Sequence, residues 1–118
     1  MIEKSDFKVD FDNEAIEISQ KIKGLYPRAN TTFRGKNLKI LKIKVLSSYE
    51  IKNKKNLFTS NYSRPGIILA VIENEGIIIS TKTDPIFLLE AKLEGKNISS
   101  KNQLILQLKP SVGEYLSD

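Results

Sequence analysis

GLYPRANTTFRGKNLKILKIKV, residues 24–45, carries six Lys or Arg and no acid. From Leu38 onward its apolar residues alternate with lysines, the period-two pattern of a strand with one face buried. The alternation breaks once, where Ile40 and Leu41 stand side by side. Strict alternation from Leu38 and Ile40 would carry Lys42 and Lys44 into the core. One inserted residue, a β-bulge near 40–41, instead predicts Leu38, Ile40, Leu41, Ile43 and Val45 inside, with Lys39, Lys42 and Lys44 together outside. Lys42 and Lys44 would then lie about 6.6 Å apart at strand rise. Bulges also bend strands where barrels curve.

The same stretch sits in a one-sided charge block. Residues 1–18 carry a net −4, residues 19–64 a net +11 and residues 65–118 a net −2, which together give the chain its +5. The middle block holds twelve Lys or Arg against a single acid, Glu50. Such a block repels itself in a folded domain, and a polyanionic partner relieves the repulsion. Lysine enrichment alone would account for solvated strand faces, but not for acids avoiding the middle of the chain. The pattern points to nucleic acid.

A chain of 118 residues suits one domain. At that length roughly two-thirds of the unfolded surface can be buried, enough for one core. There is no Cys and no His. Thiolate chemistry and disulfides are excluded, which fits a reducing compartment. The usual general base at neutral pH and the commonest metal ligand are missing, so a zinc site is not expected. The N-terminus MIEKSDFKVDF has no apolar signal region. No apolar run approaches the roughly 18 residues of a membrane span. A cytoplasmic home is expected.

Residues 12–24 read as a helix, with Asp12 as N-cap, Ala15, Ile18, Ile22 and Leu25 on one face, and Gly24 as the stop before Pro27. Residues 29–33 read as a strand turning at Gly35 into the long strand 38–46. Residues 47–63 are polar and read as a long loop with Lys52, Lys54 and Lys55 clustered. IILAVIE at 67–73 suits a strand buried on both faces. A turn at 74–76 leads to a return strand at 77–83, and Asp84-Pro85 precedes a strand at 86–93. Ser100 and Gln103 have capping-box spacing ahead of a helix at about 100–109, and EYL forms a short last edge. Helix, about five strands, helix and a closing edge predict a mainly β small barrel, closed to hide its edges. No linker divides residues 1–118, which read as a single domain.

Catalytic arrays are missing. Gly35, Gly66 and Gly76 lie in turns and in no phosphate-cradling motif. Without His or Cys no nucleophile–base pair can be nominated. Tyr26, Phe33 and Tyr62 lie in or beside the basic block, where aromatic rings either stack on unpaired bases or fill the core.

In order along the chain, KIKGLYPRANTTFRGKNLKI, PGIILAV at 65–71, LLEAKLEGKNIS at 88–99 and VGEYL at 112–116 resemble the C-terminal domain of methionyl-tRNA formyltransferases. Tyr26-Pro27-Arg28-Ala29 stands at that family's Trp-Pro-Gly-Ala step, and Gly35 to Ile40 at its GK.LKI strand entry. FKVDF is similar to the family's entry into the first helix, with Phe11 where Trp is usual. Leu25 replaces the first proline of the family's Pro-Trp-Pro step. Each motif is weak alone; their shared order and spacing over nearly the whole chain carry the resemblance.

The resemblance implies an OB-like open Greek-key barrel of about six strands, with an N-terminal helix and one short helix near the C-terminus. It implies that formyl transfer, and its cofactor 10-formyltetrahydrofolate, belong to a separate N-terminal Rossmann-like domain acting in cis. Catalytic residues, cofactor and metal are therefore not expected in this chain. The expected partner is initiator tRNA, met by a monomeric domain. Candidate tRNA contacts are Arg28, Arg34, Lys36, Lys39, Lys42, Lys44, Lys52, Lys54 and Lys55, touching phosphates without reading sequence. Related domains of sugar and folate formyltransferases have no tRNA role, and a structural or dimerisation domain of that kind is the alternative.

Overall fold

A computed structural model describes residues 8–26, 28–46 and 65–116. Helix α1 spans Ala15–Leu25 and buries Ala15, Ile18 and Ile22, one face at helical spacing. Asp12 is not its cap. Glu14 holds the N-cap position without a side-chain bond, and the Ala15 N–H donates instead to Thr83 Oγ1 at 2.9 Å, from a loop far along the chain. Gly24 lies inside the helix. The chain leaves at Tyr26, whose ψ of 133° is extended, as a residue ahead of proline is forced to be.

Strand β1 (Asn30–Phe33) and β2 (Lys36–Val45) form a hairpin closed by Arg34 and Gly35. Both have positive φ, 54° and 79°, the two-residue turn whose twist matches paired strands. Strands β3 (Ile68–Ile72), β4 (Gly76–Ile79), β5 (Ile86–Leu93) and β6 (Ile98–Ser100) complete the sheet. β4 ends well short of the expected residue 83: Ser80 still bonds to residues 66 and 67, and the chain then turns so that Thr83 caps α1. The sixth strand is Ile98–Ser100, not the C-terminal edge; Tyr115 makes only an isolated bridge to Ile67.

All strand pairings are antiparallel, in the order β1-β2-β5-β4-β3. β2 runs the length of β5 on one side, while β4 and then β6 share the other. Among the described residues β1 does not pair with β3, so the closed barrel expected from strand count gives way to an open six-stranded sheet, in keeping with the open arrangement that the resemblance implies. Its edges are covered locally. Val9 N–H donates to the Asn30 carbonyl at 2.7 Å beside β1, and residues 113–116 bond to Gly66 and Ile68 beside β3. Those contacts cover part of each edge that closure would otherwise hide.

The sheet buries apolar residues on both faces. Ile77 and Ile79 join the main core with Phe11, Ile18, Phe33, Leu38, Ile40 and Leu104, while Ile78 joins a second cluster with Leu46, Leu69 and Phe87. Alternation along β4 sends these isoleucines to opposite sides, which explains its unbroken apolar run. Helix α2 (Lys101–Leu108) buries Leu104 and Leu108. Its capping box does not form: Ser100 is extended as part of β6, with no side-chain cap bond. Lys109 closes the helix in the left-handed conformation, φ 45°, its N–H bonded to the Ile105 carbonyl.

Candidate nucleic-acid interface

The break at Ile40-Leu41 is a bulge. On β2, Ile40 pairs with Ala91 and Lys42 with Glu90, leaving Leu41 without an opposite residue. Ile43 then pairs with Leu88, so Leu89 is skipped on β5 and the original register returns. Leu38 and Ile40 are fully buried, Leu41 is 7% exposed, and Ile43 and Val45 pack half-buried against the main core. Lys39, Lys42 and Lys44 are exposed. The extra residue resets the parity, so all three lysines share the face opposite the main core, which beside Lys44 also carries Phe87 of the second cluster.

That face has a definite layout. Across β2 and β5, Lys39 lies opposite Lys92, Lys42 opposite Glu90, and Lys44 opposite Phe87. Lys92 escaped the sequence reading because it belongs to a segment of mixed charge. Its period-two relation to Glu90 marked its face, but nothing local showed that Lys39 stands beside it.

The other candidates do not gather there. Lys36 precedes Leu38 by two residues, so it has core-side parity and emerges at the sheet rim, exposed. Arg28 is exposed ahead of β1 and makes side-chain or backbone contacts of its own. Lys52, Lys54 and Lys55 lie outside the described residues, as does Tyr62. Phe33 is core, 2% exposed, whereas Tyr26 is 60% exposed.

Arg34 is committed to the fold. Its Nε donates to Glu114 Oε2 at 2.7 Å and its Nη2 to Glu114 Oε1 at 2.6 Å. Nη1 and Nη2 also donate to the Leu108 and Lys109 carbonyls, both at 2.9 Å. The guanidinium stacks 4.7 Å from the Phe33 ring centroid. It satisfies carbonyls left open at the C-terminus of α2, where a cation also meets the helix dipole. The hydrogen bonds from Arg34 hold the Glu114 carboxyl below its ordinary range, against a smaller opposing effect of desolvation.

Two grooves among the described residues lie away from the candidate lysines. One of about 390 Å³ is lined by Val71, Glu73, Asn102, Ile105 and Leu106, and another by Val9, Asp10, Asn13, Glu17, Ile18 and Lys21. The lysines of β2 line neither groove. No helix among the described residues is long and apolar enough to cross a membrane.

The geometry defines a small, mainly β domain whose candidate contact surface is the face of an open antiparallel sheet. The family described as formyl transferase, C-terminal domain, matches residues 1–108, and the chain belongs to that family. It is 87% identical over its full length to a methionyl-tRNA formyltransferase of Prochlorococcus marinus strain AS9601, and 58% identical to that of strain MIT 9515. The corresponding protein of Synechococcus sp. strain CC9605 is 36% identical over 125 aligned residues. The chain spans 36% of the length of the first of these relatives. Among solved structures, a multiply substituted variant of HypX from Aquifex aeolicus matches 97% of this chain and 19% of its own, with a TM-score of 0.62 and 13% identity. That likeness concerns the fold alone.

Proposed function

We propose that this domain holds initiator tRNA for formyl transfer carried out by a separate formyltransferase domain in cis, where 10-formyltetrahydrofolate would bind. The observation that carries the reading is the Leu41 bulge, which puts the exposed Lys39, Lys42 and Lys44 on one face of the sheet. The net +11 of residues 19–64 and the tRNA-formylating relatives support it. Lysines on a sheet face neutralise phosphates and fix orientation without reading base sequence. On this reading the domain contributes binding energy and leaves the chemistry to the formyltransferase domain.

The test is tRNA affinity measured against salt for the wild-type chain and for Lys42→Ala/Lys44→Ala. Loss of two phosphate contacts shallows the log–log slope by about 1–2 units. An unchanged slope means that those lysines touch no phosphate.

A further inference from the structure

Lys39 and Lys92 form a like-charged pair directly across β2 and β5. Facing residues on paired strands have Cα atoms about 4.5–5.5 Å apart, and like charges at such positions destabilise the sheet. Nearby carboxylates are placed against other groups. Glu90 faces Lys42 across the strands, and Glu94 Oε1 accepts the Asn37 N–H at 3.1 Å. Among the described residues, neither Lys39 nor Lys92 belongs to an ion pair.

The pair sits in a longer row. Asn30 of β1 is the partner of Lys39 on its other side, and Lys8 bridges to Asn30 at the sheet edge. Val9 and Thr31, next to these residues in sequence, are buried, so Lys8 and Asn30 share the outer face with Lys39 and Lys92. Lys8, Asn30, Lys39 and Lys92 therefore cross the strands in a line, at about 4.8 Å per strand. Lys39 stands at the corner where this row meets the Lys39, Lys42, Lys44 ladder along β2.

We infer that Lys39 and Lys92 together grip one phosphate group of the bound RNA backbone, with Lys8 and Asn30 extending the contact across the sheet. The inference rests on the proposed tRNA reading and adds to it a second direction of contact and a residue, Lys92, from outside the basic block. A phosphodiester oxygen accepting from both ammonium groups forms charge-assisted bonds and removes the repulsion. The unbound protein thus keeps a destabilising pair that its ligand neutralises.

The experiment compares wild type, Lys92→Gln and Lys42→Ala/Lys44→Ala. Each is tested for thermal stability at low and high salt, and for tRNA affinity across salt. The lysine Cε signals of wild type are also followed by NMR during titration with inorganic phosphate. Lys92→Gln is expected to melt at a higher temperature than wild type at low salt, with the gain screened away near 1 M. It is also expected to bind tRNA more weakly, with the slope shallower by about 1. A residue that only supports the sheet would not move stability and affinity in opposite directions. If Lys92→Gln binds with unchanged affinity and slope while the double variant shallows the slope, the Lys39–Lys92 grip is wrong and the tRNA reading stands. If neither variant changes the slope, both fail. Inorganic phosphate shifting the two Cε signals without any effect of Lys92→Gln on tRNA would assign the pair to free phosphate and overturn its RNA role.

Discussion

Arg34 and Glu114 meet through two parallel hydrogen bonds, 2.7 and 2.6 Å long, although 80 residues separate them in sequence. The pair ties the β1–β2 turn to the C-terminal segment beside β3, and the same guanidinium closes the end of α2. Arg34→Lys retains the charge but not the planar fork. It is therefore expected to lower the melting temperature nearly as much as Arg34→Ala, with the loss read by circular dichroism. A melting temperature unchanged in both variants would show that the clamp adds nothing to stability.

The acid side of the stability curve follows from the same pair. The folded-state pKa of Glu114 lies below its ordinary value of 4.5, chiefly through the Arg34 hydrogen bonds. Its stabilisation is therefore complete above that ordinary value and is lost as pH falls from there toward the lowered one. Glu114→Gln removes this contribution, so the difference in melting temperature between variant and wild type should be largest near neutrality and shrink in acid. A difference constant from pH 7 down to pH 2 would contradict the assignment.

Thr83 caps a helix from outside it. Thr83→Ala leaves the Ala15 N–H without its acceptor and is expected to cost about 1 kcal/mol in urea unfolding. Thr83→Ser should lose much less, because the hydroxyl remains. Asp12→Ala, at the position that sequence alone nominates, should have the smaller effect; the reverse order would return the cap to Asp12.

The bulge makes neighbouring positions opposite in character. Leu41 is 7% exposed and Lys42 is exposed. Leu41→Lys buries an unpaired charge and is expected to cost ~3 kcal/mol or more. Lys42→Leu should stay within about 0.5 kcal/mol, as surface changes do. Equal costs at the two sites would mean that β2 runs without the inserted residue.

Gly76 is fixed by a close approach. It has φ +148°, and a Cβ there would lie 2.5 Å from the Leu88 carbonyl oxygen. Gly95 also has positive φ, +81°, but nothing within 4 Å of such a Cβ. Gly95→Ala should show conformational strain alone, about 1 kcal/mol. Gly76→Ala should lose clearly more in the same urea titration, since β4 must move off β5.

Local pattern was enough wherever one element's own residues set the outcome. The Asp84-Pro85 break ahead of 86–93 placed β5 at its observed bounds, and the Ile40-Leu41 doublet announced the bulge. The sites at which sequence misled are those where a nearby polar residue looked sufficient. Asp12 and Ser100 both fit cap statistics, yet Thr83 reaches the first helix and Ser100 is drawn into β6. Arg34 read as one more cation of the basic block, because nothing around it reveals that Glu114 and the end of α2 lie beside it.

By itself the sequence determined which residues are apolar at period two, where that period slips, and how sharply positive charge is confined to the middle of the chain. Those properties belong to neighbouring residues and to sums over a segment. The tertiary structure alone decided that Arg34 is a clamp and that Lys92 comes to face Lys39. Each of these depends on the path of the chain between distant residues. That path is set by the burial of two apolar clusters on opposite faces of one sheet, a property of all six strands together rather than of any one.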